Sequence, residues 1–564
     1  MSQQYELTQA QISRTAIQRL YITMKHLFFR GHYKPMGMSG EAMIKAMLEL
    51  KPEIYGSIAD PSKVELNGLF YIFQRLPRGI EECRYIDLSS REGYENSHFK
   101  PIIPSRRRRN CYRTGEQEMK IEMTRGRSDI YDILTHLTFM YIEAEKIRRN
   151  AVFAGKKNRA WISLESIIEK IEQGEEFEIE VGYTQLSTLL GRTFEEVKEA
   201  NEKFSRSPEV NNLFHITFWL GKLSIEEATQ KKSREINFST TLQERLGSHQ
   251  FGEEWANTIK AYMVKKSFHT RPVHIISANM HSVMNSIYAK AALKDISKNM
   301  SLEDLAELLS RDENAELRTQ VESYAKENGM VRIDDVTGTN IPVQIFDLQK
   351  IDSTELPKEV KWPGYMEPDD VPVLIVMDYA FGEQAYETMD ELLKPFDKKS
   401  SNIHINICSV NIMGKAGILH GSKGDIMVPT AHVFEGSTDN YPFENDIDMK
   451  SMEGKGLLVT KGPMVSVLGT SLQNKTILQY FMSSSWGMIG LEMEGAHYQK
   501  AIQVASKIRH SIKENVKIRY AYYASDNPLE TGSTLASGSL GLDGVKPTYL
   551  ITTSILNGIF EMNS

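Results

Sequence analysis

Three short apolar runs in the second half of the chain most constrain what it can build, because each breaks at a turn before helical spacing resumes. Arg271-Pro272-Val273-His274-Ile275-Ile276-Ser277-Ala278 leads into Asn279-Met280-His281-Ser282-Val283-Met284-Asn285. Val373-Leu374-Ile375-Val376-Met377 precedes Gly382, and Asn402-Ile403-His404-Ile405-Asn406-Ile407 precedes Gly414-Lys415-Ala416-Gly417. Repeated strand-then-turn-then-helix units predict an α/β domain, and strand ends of this kind gather ligands.

The first 250 or so residues have a different texture. Helix formers spaced as amphipathic helices dominate, with few strand-like alternations. A chain of 564 residues exceeds one ordinary core. Two large parts are therefore expected: a mainly helical domain over residues 1–250, with a regulatory role, and an α/β domain over residues 270–564. Residues 302–325 and the acidic, proline-bearing segment 352–370 read as insertions or connections. No internal repeat stands out, which argues against a solenoid.

Asp129 to Ile142 shows apolar positions at three- and four-residue intervals, predicting a helix that carries Asp132, His136 and Glu143 on one face. Such a set resembles carboxylate-histidine metal sites, but no second Glu-x-x-His element lies nearby, so a bundle helix with one hydrogen-bonded histidine is the preferred reading. Tyr183 to Thr193 is likewise read as a glycine-bearing helix connection rather than a DNA reader.

The net charge of -7 gives no general attraction to nucleic acid, and Arg106-Arg107-Arg108-Arg109 is the local exception, a candidate phosphate contact. Cys83, Cys111 and Cys408 have no zinc or disulfide spacing and read as reduced thiols. The first six residues lack a basic-then-apolar pattern, and no stretch reaches the ~18 uninterrupted apolar residues of a membrane helix. A cytoplasmic protein without membrane contact is expected.

Two motifs carry chemistry. Leu491-Glu492-Met493-Glu494-Gly495-Ala496 sets paired carboxylates around a methionine at a helix start, where the macrodipole by itself also favours acids. Ala524-Ser525-Asp526-Asn527-Pro528-Leu529 sets an acid just past the strand-like run Ile518 to Tyr523. With the strand and glycine turn of residues 376–385, and Gly414-Lys415-Ala416-Gly417 followed by Gly424-Asp425-Ile426, they stand in an order that resembles the nucleoside phosphorylase and nucleosidase superfamily over about residues 270–560. Ser525 to Leu529 and the glycine-bearing stretch after it are most similar to AMP nucleosidases, which also carry an extra N-terminal domain.

The resemblance implies a three-layer α/β fold with a central mixed, partly barrel-like sheet, and cleavage of a purine N-glycosidic bond without metal or cofactor. Asp526 would protonate the leaving base, which requires a desolvated pocket. Glu494 would accept hydrogen bonds from the ribose hydroxyls of an oxocarbenium-like group. Met493 would pack against the sugar, with Glu492, Ser525, Ala416 and Gly417 as further contacts. Gly382 and the turn carrying Asn279 and His281 stand where the family binds phosphate or activates water. His281 is a candidate base or 5′-phosphate contact, or a helix cap.

No arginine is placed as in phosphorylases, so hydrolysis is favoured. Phosphorolysis and a non-catalytic nucleotide sensor remain the alternatives. Lys415 within the glycine turn, and Asn527 where AMP nucleosidases have lysine, depart from the family and leave base and phosphate specificity open. The implied partners are a nucleoside or nucleotide, phosphate, and further copies of the chain as a homo-oligomer; no nucleic acid is expected.

Overall fold

The computed structural model describes residues 7–363, 367–398, 401–530 and 540–562. Residues 1–6, residues 364–366 of the acidic connection, and the glycine-bearing stretch 531–539 lie outside them.

The chain forms two compact units, the first comprising Met1–Ser248 and Ser471–Ile477. Its longest helix, α1 (Gly126–Ala151), is buried around most of its circumference and packs as a central element. The unit also contains a five-stranded sheet that its sequence pattern does not announce. Strands β1 (His32–Tyr33), β2 (Tyr85–Ser89), β3 (Cys111–Gly115), β4 (Glu118–Glu122) and β5 (Glu235–Phe238) lie in the order β1-β5-β2-β4-β3. None exceeds five residues, too few for a period of two to stand out against flanking helices.

The face of α1 that carries Asp132 and Glu143 is engaged in ion pairs. Asp132 is held by Arg107 and Arg109, while Glu143 pairs with Lys146 at 2.8 Å and accepts from the Glu65 amide at 2.8 Å. The Tyr183–Thr193 segment is a helix connection: helix Ile179–Leu190 ends at Gly191 (φ 61°), and Thr193 caps the next helix. A Cβ at Gly191 would lie 2.2 Å from the Ser62 carbonyl oxygen, so glycine serves both the turn and the close approach.

The second unit, His249–Thr470 and Leu478–Ser564, holds a ten-stranded mixed sheet. Its strands are β6 (Val273–Ser277), β7 (Met330–Ile333), β8 (Val343–Asp347), β9 (Val373–Met377), β10 (Ile407–Ile418), β11 (Ile426–Phe434), β12 (Asn440–Pro442), β13 (Val459–Ser466), β14 (Gly490–Glu492) and β15 (Lys517–Asp526). The order is β12-β11-β13-β14-β10-β6-β9-β8-β7, and β15 pairs both β10 and β11. Strands β11, β13, β14, β10 and β15 therefore close a ring, from which β6 to β9 extend as an open sheet. The fold is α/β with a mixed, partly barrel-like sheet.

Every residue of β6 and β9 is buried, as their continuous apolar runs require of strands covered on both faces. One apolar layer packs between the sheet and helices Gln250–Lys265, Gln384–Leu392 and Gly495–Gln503, and the other lies under helices Met280–Ala292 and Val545–Glu561.

Two readings change. Asn402 to Ile407 is not one strand: Ser401–Ile403 pairs back on Phe396–Lys398 in a separate hairpin, and the central strand begins at Ile407. Gly414-Lys415-Ala416-Gly417 is strand rather than turn, because β15 pairs with β10 through all four residues. A Cβ at Gly414 would meet the Tyr522 ring at 2.9 Å, so glycine here makes room for an aromatic face.

Among the described residues, no helix is long and apolar enough to cross a membrane. The three cysteines are free, Cys83 and Cys111 buried and Cys408 half-buried.

A buried ion pair staples the open side of the sheet. Arg271 Nη1 bonds Asp347 Oδ1 at 2.8 Å, and Nε donates to the Val371 carbonyl oxygen at 2.9 Å, joining the strand ends of β6, β8 and β9. Asp347→Ala strands a guanidinium whose side chain is 8% exposed, and should cost about 3–5 kcal/mol, read as a lower thermal unfolding midpoint. The double variant Arg271→Met with Asp347→Leu should recover much of the loss.

Candidate active site

Strands β6, β9, β10 and β15 run parallel to one another, so their carboxyl ends point the same way. Strand β15 ends at Asp526, in register with Gly417 of β10. On the other edge of β10, Gly417 pairs with Leu491 of β14, which runs antiparallel. The two motifs thus flank Gly417, with backbones roughly 10 Å apart at two interstrand spacings.

From Leu491 the chain passes through Glu492, Met493 and Glu494 into helix Gly495–Gln503. Glu494 is half-buried, and its Oε1 accepts from the Gly382 amide at 2.9 Å. Gly382 has φ 56°, the left-handed region that favours glycine. Its N–H is directed at Glu494, which makes this turn a holder of the carboxylate rather than the anion cradle expected. One turn along the helix, the Tyr498 hydroxyl lies 3.0 Å from Ser277 Oγ at the end of β6.

Glu492 departs from the expected sugar contact. It is 4% exposed, and its oxygens face the Ser466 hydroxyl, His432 Nδ1 at 3.3 Å, and the backbone N–H groups of Glu494, at 2.5 Å, and Gly495. Burial raises its pKa, but the adjacent His432, with the Ser466 hydroxyl and the Gly495 N–H, brings it below the usual glutamate value. Glu492 therefore satisfies otherwise orphaned donors at the helix start and sets where Glu494 projects. Gly495 leaves no room for a side chain: a Cβ would lie 2.3 Å from two ring atoms of the buried His432.

At the other motif, Asp526 is 6% exposed, and the Ser525 hydroxyl lies 2.5 Å from its Oδ1 and 3.1 Å from the Ala416 carbonyl oxygen. The ladder shifts register between Ala416 and Gly417, beside this hydroxyl. Asn527 is committed to its own turn, donating to the Gly421 carbonyl at 3.0 Å and accepting from the Leu529 amide at 3.0 Å.

Asn279 caps helix Met280–Ala292, its Oδ1 accepting from the His281 amide at 2.9 Å, while the His281 side chain is exposed in the first turn. Met493 is half-buried, and Ala416 and Gly417 are buried. The structure adds Asp378, just past β9. Burial raises its pKa, offset in part by the Tyr379 N–H and by the charge of His281. It also adds Tyr379 and Tyr523, whose phenols are near enough to influence each other electrostatically. Asp378 was findable as an acid directly after a fully apolar run. His432, Ser466 and Tyr498 carry no local signal, since only the sheet brings them to the motif.

The sequence matches a protein-family model described as a family of unknown function, DUF6909, over residues 41–302 and 291–561. No curated protein matches the chain. Among solved structures, it is similar to Campylobacter jejuni 5′-methylthioadenosine/S-adenosyl homocysteine nucleosidase, with 10% identity, 52% of this chain and 99% of that chain covered, and a TM-score of 0.31. It is similar to native Helicobacter pylori futalosine hydrolase, with 12% identity over 52% of this chain and 98% of that chain at a TM-score of 0.30. Uridine phosphorylase from Schistosoma mansoni, in complex with thymidine, gives 12% identity, coverages of 51% and 87%, and a TM-score of 0.31.

Two outcomes follow from the packing around Glu492. Gly495→Ala should lower the thermal midpoint strongly, because the buried His432 ring and the Glu492 carboxylate must both shift. A carboxylate with a depressed folded pKa contributes stability that is full above its unfolded value of 4.5 and is lost as pH falls through the lower folded value. The stability difference between the wild type and Glu492→Gln, followed by chemical denaturation across pH 3–7, should therefore be largest near neutrality and shrink below about pH 4.5.

Proposed function

The chain belongs to the DUF6909 family, and for this member we propose cleavage of the N-glycosidic bond of a purine nucleotide or nucleoside, by hydrolysis in the manner of an AMP nucleosidase. The observation that supports it best is the placement of Asp526 and the Glu494 motif on the two sides of one strand position, Gly417.

Breaking this bond expels a poor leaving group from an oxocarbenium-like sugar, so it needs an acid at the base and oriented acceptors at the ribose. Asp526, braced by the Ser525 hydroxyl, protonates the base. Glu494, held by the Gly382 amide, accepts from the ribose hydroxyls and stabilises the developing positive charge, while Met493 packs on the sugar face. Ala416 and Gly417 line the floor between them. His281 and Asp378, whose pKa the charge of His281 lowers, stand at neighbouring strand ends to receive a proton from water or to meet a 5′-phosphate. Asn279 serves by fixing the turn that carries His281.

The test is base release from AMP and adenosine, with and without phosphate. Adenine should appear from AMP without phosphate, and Asp526→Asn should slow its release by about 10²–10⁴-fold while binding is kept. Ribose 1-phosphate formed only with phosphate would select phosphorolysis. Ligand binding with no base release under any condition would refute catalysis and leave a nucleotide sensor.

A further inference from the structure

In the first unit, two consecutive glutamates meet a histidine from a distant part of the chain. Glu81 and Glu82 sit in the short turn Ile80–Glu82, entered through Gly79 at φ 86° and leading into β2. His215 stands at the third position of helix Leu213–Gln230, where its amide donates to Oδ1 of the capping Asn212 at 3.0 Å. Its Nε2 lies 2.8 Å from Glu82 Oε1 and 3.7 Å from Glu81 Oε1, and one ligand atom from each residue falls within 4.8 Å of the other two.

Each carboxylate is held from behind by a further side chain. Arg113 Nη2 donates to Glu82 Oε2 at 2.9 Å, leaving Oε1 to the imidazole, and the same guanidinium is fixed by the Gly115 and Gly79 carbonyl oxygens at 2.8 and 2.9 Å. Asn211 Nδ2 donates to Glu81 Oε1 at 2.6 Å, and Arg78 Nε holds the other end of that amide at 2.8 Å. Outer partners of this kind orient metal ligands.

Glu82 has Arg113 as a counter-charge, but Glu81, whose side chain is 1% exposed, pairs with no lysine or arginine among the described residues. Burial raises its pKa against the Asn211 hydrogen bond, and the charge of Glu82 adds to the rise. With a carboxylate oxygen 2.8 Å away, His215 Nε2 carries the ring hydrogen. Three ligand atoms thus share one hydrogen, in a place that a cation can take. Solvent reaches it, since the His215 and Glu82 side chains are 30% and 23% exposed.

We propose that Glu81, Glu82 and His215 bind a divalent transition metal of the zinc class, with water completing its coordination. Two ligands about 2.0–2.1 Å from a tetrahedral metal stand roughly 3.3 Å apart, so the observed 2.8 and 3.7 Å need side-chain ends to shift by only about half an ångström. Imidazole among the ligands favours such a metal over Mg²⁺ or Ca²⁺, which prefer oxygen alone. On binding, the Nε2 hydrogen passes to solvent from an imidazolium ring or to Nδ1 in a neutral one. The metal ties the turn before β2 to helix Leu213–Gln230. The site lies wholly in the first unit and does not rest on the chemistry proposed for the second.

Titration of the full, untagged chain with Zn²⁺ after chelator treatment and dialysis tests the inference. One equivalent should bind saturably, and excess Mg²⁺ or Ca²⁺ should not displace it. His215→Ala and Glu81→Gln should each weaken binding by roughly 100-fold or more, since even the outer partners of a ligand are worth about 10- to 100-fold. His98→Ala, which removes an exposed histidine of the same unit, should stay within about twofold. Circular dichroism spectra matching the wild type separate loss of a ligand from loss of the fold. Co²⁺ should give visible absorption bands with the wild type that vanish in His215→Ala. Zn²⁺ should also raise the thermal midpoint of the wild type, a readout that needs no variant to fold. Absence of saturable Zn²⁺ and Co²⁺ binding in the wild type, or binding unchanged in His215→Ala and Glu81→Gln, would overturn the proposal.

Discussion

The second unit depends on one twelve-residue strand, Ile407–Ile418. A strand has two hydrogen-bonding edges, yet this one has three partners. Strand β15 occupies one edge along almost its whole length. The other edge is held by β6 as far as Ile412 and by β14 from Gly417 onward. That exchange of partner lets the sheet leave its plane and close through β13 and β11. It occurs where Gly414 admits the Tyr522 ring and where the register shifts between Ala416 and Gly417.

The candidate site follows from this closure. Once β14 and β15 flank the same stretch of β10, two motifs separated by some thirty residues of chain face a common position. The cost of burying Glu492 beneath them is offset by three donors, a hydroxyl and two backbone N–H groups, with the His432 ring 3.3 Å away. A carboxylate so saturated is a fixed point, and it carries the neighbouring Glu494 into place against Gly382.

The first unit uses buried charge differently. Around α1, Arg109 is neutralised by two aspartates at once, a compact pairing on one buried helix face. In the second unit, Arg271 and Arg519 each meet one carboxylate and backbone carbonyls, so their charge is spent on joining elements.

The strands β6 and β9 and the acids at the ends of their neighbours are legible in the chain itself, because continuous β-branched runs report strands buried on both faces and acids placed directly after them stand out. Asp526, Glu494 and the helix behind Gly495 come from local pattern of this kind. The strands of the first unit are not legible, being too short to show alternation, and the glycines of residues 414–417 mislead, since a glycine that admits an aromatic ring and one that turns the chain look alike in one dimension. Whether Glu492 touches a ligand or anchors a helix, and whether Gly382 cradles an anion or a glutamate, is decided only by which groups the closed sheet brings within hydrogen-bonding distance. A sequence records which donors and acceptors a chain owns; the tertiary structure alone determines which of them are already satisfied.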